Sequence, residues 1–279
     1  FTKNIMINYQ KIFKLDPYSL NQRKKQELLL PNFKKLNYFH YKNCESYRKI
    51  IDKVYGELDN KKKLKDLPFI HVSLFKKFEL KTKQVKDLKI FKSSGTSNNL
   101  LSKISIDKTT SLLQARALNK IFSNFFNIKK TKILFVDTPN VLIGSSLYSA
   151  RGAAVNGFKQ MFKNYEFLLD NKNSVQIKNI KKNINSDSNE KIVIFGFTSL
   201  IWDFLKKIKK KNIKFKKGQA ILIHGGGWKR MENKSVSKKI FNDSIKDILN
   251  ITDIHNYYGM IEQTGSIFFE CEKGYFHPS

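Results

Sequence analysis

The stretch Ile221-Leu222-Ile223-His224-Gly225-Gly226-Gly227-Trp228-Lys229 sets a continuously apolar run directly against three glycines. A run without polar alternation is the pattern of a strand buried on both faces, as in a parallel sheet covered by helices. That strand is predicted over Ala220 to Ile223, and two more share its character, Lys132 to Val136 and Ile192 to Phe195. Amphipathic segments predict helices at Thr109 to Phe126, Leu200 to Lys210 and Val236 to Leu249. Strands interleaved with helices give an α/β fold. In open sheets of that class ligands gather outside the carboxyl ends of the strands, so the loops after the apolar runs are where a site is expected.

Outward from this core, residues 1–90 read as mainly amphipathic helices, with breaks expected at Leu28-Leu29-Leu30 before Pro31 and at Leu67-Pro68. The α/β rhythm covers 91–279. Residues 171–190 are polar and read as a helix-loop connection or a surface insertion.

A chain of 279 residues with 41% hydrophobic side chains supports one large domain or two packed lobes. Cysteine occurs only at Cys44 and Cys271, which excludes a disulfide framework and a thiolate-held metal and points to a reducing, cytoplasmic compartment. No stretch approaches the roughly 20 apolar residues of a spanning helix, so no transmembrane segment is expected. A formal charge of +30 raises a polyanion as partner. The basic residues are nearly all dispersed lysines, however, with arginine confined to Arg23, Arg48, Arg116, Arg151 and Arg230. Arg is the side chain suited to phosphate and base forks, so no specific nucleic acid is expected. A non-catalytic polyanion-binding protein stays as the reading from another class.

Five segments carry candidate chemistry, each beside a plainer reading. Ser93-Ser94-Gly95-Thr96-Ser97 offers hydroxyls and backbone N–H groups to a polyphosphate, or is a surface turn. Gly225, Gly226 and Gly227 allow a flat group such as a purine against the main chain, with Trp228 lining the pocket, or form a flexible loop closed by a core Trp. In His255 to Ser266, Tyr258 before Gly259 offers a ring face to a base and Glu262 a carboxylate to Mg²⁺; the alternative is a strand-turn with a solvated Glu. Arg151, among small residues, is a fork for a carboxylate or phosphate, or a turn cap. Phe195 to Trp202 reads as sheet-to-helix packing, or as a border of an acyl channel formed by Gly196 and the aromatics. The histidines lack metal-ligand spacing and no hydrolase nucleophile motif is present. Cys271 offers an acyl-accepting thiol, but it lies between Glu270 and Glu272, carboxylates that should raise its pKa, and reads instead as an inert strand residue.

The order of these segments resembles the adenylate-forming enzyme superfamily. More closely, FKSSGTS (Phe91 to Ser97), SARGA (Ser149 to Ala153), FGFTSLIW (Phe195 to Trp202), HGGGWK (His224 to Lys229) and YGMIEQTGSIFFECEKGYFHP (Tyr258 to Pro278) are similar to the LuxE-type acyl-protein synthetases. The resemblance implies ATP-dependent activation of a carboxylic, fatty acid to an acyl-adenylate, then transfer to a protein thiol, with an acyl-carrying partner protein. It implies a large N-terminal domain of the adenylate-forming fold, mixed sheets flanked by helices, with 91–279 as the nucleotide-binding core. ATP and Mg²⁺ follow as cofactors: Ser93, Ser94, Gly95, Thr96 and Ser97 for the phosphates, Gly225, Gly226, Gly227, Tyr258 and Gly259 around adenine, and Glu262 on the metal. Thr96 and Glu262 would serve catalysis, with Arg151 and Trp228 toward the acid. A coenzyme A ligase or an amino- or hydroxy-acid activator of a surface-polysaccharide pathway fits the same signals. The sequence departs from the pattern at Asn98-Asn99, where the phosphate loop ordinarily has glycine, and at Ile261, where a threonine is expected. The resemblance places the ribose-binding Asp, the C-terminal lid with its Lys and the acylated thiol beyond Ser279, so a truncated chain with its lid subdomain missing is expected.

Overall fold

The computed structural model describes residues 7–56, 62–82, 89–93, 101–186, 190–263 and 265–278, the side chains of 229–231 excepted. They fall into two compact units, one of the described residues within 7–124 and 260–266, the other of those within 125–259 and 267–278.

The first unit carries α1 (Tyr9–Lys14), α2 (Gln22–Asn43), α3 (Glu45–Val54), α4 (Leu74–Lys77), an antiparallel hairpin of β1 (Lys89–Lys92) and β2 (Lys103–Ile106), and most of α5 (Lys108–Phe126). Asn21 starts α2 by accepting the Lys24 N–H at 2.9 Å. The helix then runs through Pro31, which corrects the break expected there. Proline removes one backbone donor and crowds the preceding turn. The Asn32 amide donates to the Leu28 carbonyl at 2.7 Å in that turn and supplies an extra hydrogen bond beside the defect. On α3, Tyr47 and Ile51 lie four residues apart on one face and join Cys44 in a small core. Residues 260–266 return to this unit as a short 3-10 turn, Ile261–Gln263. Gly265 holds them there: it adopts φ +87°, and a Cβ would stand 2.8 Å from Gln114 Cγ and 3.2 Å from Gln114 Cα on α5.

The second unit is a seven-stranded sheet in the order β4-β3-β5-β6-β7-β8-β9. Its strands are β3 (Lys132–Phe135), β4 (Asn164–Phe167), β5 (Ile192–Phe197), β6 (Ala220–Gly225), β7 (Asp253–Tyr258), β8 (Phe268–Glu270) and β9 (Phe276–His277). Strands β3 to β7 are parallel, β8 and β9 antiparallel. Helices α6 (Ala150–Lys159), α7 (Ile177–Ile184), α8 (Thr198–Ile208) and α9 (Lys238–Leu249) connect the parallel strands. The chain is therefore α/β with a mixed sheet. Every residue of β5 and β6 is buried, which is why both read as unbroken apolar runs. Leu134, Ile194, Leu222, Phe204, Phe241 and Ile245 belong to the main core, to which α8 and α9 contribute. A separate aromatic stack joins Phe158 to Phe195 at 4.2 Å and Phe195 to Tyr257 at 5.5 Å. Strand β4 lies on one side of β3 and β5 on the other, so the order reverses between β3 and β5. In open α/β sheets such a reversal is where ligands bind, outside the carboxyl ends of the strands.

Beside β8, His255 bonds through both ring nitrogens, Nδ1 to the Glu270 carbonyl at 2.9 Å and Nε2 to Asp253 Oδ1 at 2.7 Å. Two acceptors require two N–H donors, hence the imidazolium. Burial opposes that charge, but the Asp253 carboxylate and the Glu270 carbonyl outweigh it and raise the His255 pKa; the bond from His255 in turn lowers that of Asp253. Because the folded-state pKa of His255 is raised, its contribution is complete below the ordinary histidine value and is lost as pH rises through the raised one. Chemical denaturation at pH 6 and pH 8.5 should show the stability advantage of wild type over His255→Gln larger at the lower pH, a comparison that cancels the opposite dependence of the buried, neutral His224 and His40. A slope unchanged in the variant would contradict the assignment.

Candidate functional site

The carboxyl ends of β3, β5, β6 and β7 stand side by side. Register pairs Phe135 with Phe195, Phe197 with Gly225, and Gly225 with Tyr257. The Val136 N–H donates to the Phe195 carbonyl at 2.8 Å and carries the β3 pairing one residue further, toward Asp137.

Asp137 is 2% exposed. Arg151, one residue into α6, donates from Nε to Asp137 Oδ2 at 2.7 Å and from Nη2 to Oδ1, forming a fork. The Thr138 N–H also donates to Asp137 Oδ1 at 2.6 Å. The start of α6 is fixed locally: Ser149 Oγ accepts from the Gly152 N–H at 3.0 Å, and a Cβ at Gly152 would stand 2.1 Å from the Ser146 carbonyl oxygen. The fork that the sequence offered to a ligand is thus engaged with a buried carboxylate, while the arginine side chain remains 40% exposed.

The three glycines differ. A Cβ at Gly225 would meet the Tyr257 carbonyl and ring at 2.6 Å, and one at Gly226, whose φ is +77°, would meet the Phe197 ring at 2.3 Å. Gly227 takes φ +60° with nothing within 4 Å. Close packing by the protein's own aromatic rings therefore accounts for Gly225 and Gly226, and the open ledge lies at Gly227. Gly226 and Gly227 are exposed. Trp228 packs edge-on to Trp202 at 5.9 Å and to Phe241 at 6.2 Å, which anchors the end of the turn. Under it lies a polar pair that the sequence reading left without a role. Thr198 Oγ1 is 2.9 Å from His224 Nδ1 and donates to the Gly225 carbonyl at 3.1 Å. Burial, assisted by the charges of Lys238 and His255, holds the His224 pKa at about 4.

Tyr258 ends β7 at the same edge and Gly259 follows it; both are exposed, with Tyr258 against Phe268 at 6.1 Å. Glu262 belongs to the first unit, on the 3-10 turn. So does Ser93, whose hydroxyl accepts from the Ser102 N–H at 2.9 Å while the Ser93 N–H donates to the Ser102 carbonyl at 3.1 Å. Ser93 thereby extends the β1–β2 pairing by one residue. Ser94, Gly95, Thr96 and Ser97 lie outside the described residues.

Among the described residues no three His, Cys, Asp or Glu side chains gather as a metal cluster. A single carboxylate such as Glu262 suits Mg²⁺ shared with phosphate oxygens rather than a resident ion. Cys271 corrects the expectation of a raised pKa. A hydrogen bond with His277 and backbone bonds at Tyr275 and Lys273 lower its pKa to about 7. Glu270, one of the two flanking carboxylates, is taken up by Lys238.

Comparison with known proteins is consistent with these motifs. The profile described as "Acyl-protein synthetase, LuxE" matches residues 3–278, and the chain belongs to that family. It is also 24% identical over 277 residues to the long-chain-fatty-acid–luciferin-component ligase of Aliivibrio fischeri, a match covering 94% of this chain and 69% of that protein. Among the described residues no helix is long and apolar enough to cross a membrane.

Proposed function

We propose, with that family membership as premise, that this chain is a ligase that activates a long-chain fatty acid with ATP and passes the acyl group to a protein thiol. The observation that carries the reading is the exposed turn Gly226-Gly227 at the carboxyl edge of a parallel sheet, left-handed at both residues and open at Gly227, with the exposed Tyr258 ending the adjacent strand. A purine against that backbone is the flat group such a ledge accommodates. The name of the Aliivibrio fischeri ligase supports a fatty acid as the carboxylate.

In this reading 91–279 forms the nucleotide-binding core of an adenylate-forming large domain and 1–90 its helical N-terminal part. Gly226 and Gly227 take adenine on their exposed backbone beside Tyr258 and Gly259, and Gly225, packed under Tyr257, supports the turn from below. Ser93, Ser94, Gly95, Thr96 and Ser97 take the phosphates, with Thr96 acting on the reacting group. Arg151 and Trp228 flank the acid, Arg151 through the guanidinium edge that Asp137 does not hold. A carboxylate oxygen attacks the α-phosphorus, a C–O–P linkage forms, the α–β phosphoanhydride breaks, and pyrophosphate leaves. Catalysis then consists of positioning and of stabilising charge on phosphate oxygens, so no side-chain nucleophile is required. Glu262 would hold Mg²⁺, which when bound neutralises the departing pyrophosphate.

Exchange of labelled pyrophosphate into ATP tests this. Exchange should depend on both Mg²⁺ and a long-chain fatty acid. Exchange indifferent to the acid, or binding whose only trait is a steep loss with salt, as for a polyanion binder, would contradict it.

A further inference from the structure

The geometry points to Thr198 and His224 as positioning residues that set the plane of the Gly225–Gly226 peptide, and so the orientation of the ledge on which the proposed nucleotide lies. The assignment rests on the nucleotide reading for its consequence, though not for its geometry. Thr198 starts α8 at the end of β5, and His224 is the penultimate residue of the adjacent β6, with Gly196 and His224 paired in register. Both side chains are buried, 7% and 6% exposed. The threonine hydroxyl has one proton and two neighbours, the Gly225 carbonyl at 3.1 Å and His224 Nδ1 at 2.9 Å. For both contacts to be hydrogen bonds, the carbonyl, which can only accept, receives the Thr198 proton and Nδ1 carries its own hydrogen. Neutrality of the ring, with its pKa near 4, leaves Nε2 unprotonated.

The relay therefore runs from the His224 N–H to the Thr198 oxygen and from the Thr198 O–H to the Gly225 oxygen. A peptide is planar, so pinning the Gly225 carbonyl also fixes the direction of the Gly226 N–H. That matters here because two left-handed glycines follow, the residues with the greatest backbone freedom. The Phe197 ring against Gly226 limits the turn on one side, and the relay limits it at the carbonyl.

The test has two arms. Nitrogen-15 NMR of the ligand-free wild type should show His224 as the Nδ1–H tautomer, and Thr198→Val should lower the amide order parameters of Gly226 and Gly227. In the second arm, Thr198→Val and His224→Leu should each weaken ATP binding about tenfold, the size of one lost hydrogen bond. Thr198→Ser should restore it, which a purely steric role would not predict. An Nε2–H tautomer, or unchanged glycine order parameters in folded Thr198→Val, would overturn the assignment. If the first arm holds and the wild type binds no ATP, the nucleotide reading fails while the relay stands; if ATP binds and the order parameters do not move, the relay fails alone.

Discussion

Replacing Arg151 with methionine should destabilise the second unit by about 3 kcal/mol, the lower end of the range for stranding one member of a buried ion pair. Asp137 sets the size of the effect, since it is 2% exposed and would keep one backbone donor, the Thr138 N–H, after losing a two-point fork. The 40% exposure of Arg151 places the figure at the lower end, because solvent already screens part of the pair. Methionine keeps much of the stem's packing and so isolates the charge. Urea denaturation should show the lowered midpoint, and Asp137→Asn in the same background should recover most of it by removing the uncompensated charge. A loss below about 1 kcal/mol, within the range of exposed pairs, would show that Asp137 is not held by Arg151 in solution.

The second large effect is on catalysis. Glu262→Gln should reduce fatty-acid-dependent pyrophosphate exchange roughly 100-fold, as for removal of one electrostatic support of a reacting phosphate. The same change should leave the thermal midpoint nearly unmoved, because Glu262 is only partly buried on a three-residue turn and glutamine is isosteric with it. Raising Mg²⁺ should recover part of the rate if the deficit is metal affinity. Unchanged exchange in the variant would remove Glu262 from the metal site.

What the sequence made legible follows burial. Strands β5 and β6 are enclosed on both faces, so their composition is uniform, and both were expected, each ending two residues beyond its predicted limit. Strand β7 reads as Asp253-Ile254-His255-Asn256-Tyr257-Tyr258, and its polar residues conceal it because their partners lie far off in the chain: His255 is matched by the Glu270 carbonyl and Asp253 also by Lys191. Strand β4 is equally masked by Asn164 and Glu166, the latter paired with Lys132 at 2.7 Å and with Asn183 at 2.9 Å. The same non-locality hid parts of the candidate site. Asp137 follows a strand with nothing in its neighbourhood to announce an arginine fourteen residues on, and Thr198 passed as packing because its partner lies on the next strand. The three consecutive glycines were conspicuous, yet their reasons were not, since two answer to Tyr257 and Phe197. Pro31 misled because local chemistry marks a helix end there, while Asn32 offers the turn another hydrogen bond.

The most direct measurement follows oxygen. The protein is given ATP, Mg²⁺ and a long-chain fatty acid labelled with oxygen-18 in its carboxylate, with hydroxylamine to capture the activated acyl group. Attack on the α-phosphorus predicts one labelled oxygen in the AMP released and unlabelled pyrophosphate. Label recovered in inorganic phosphate, with ADP as the nucleotide product, would mean activation at the γ-phosphorus and would contradict the account.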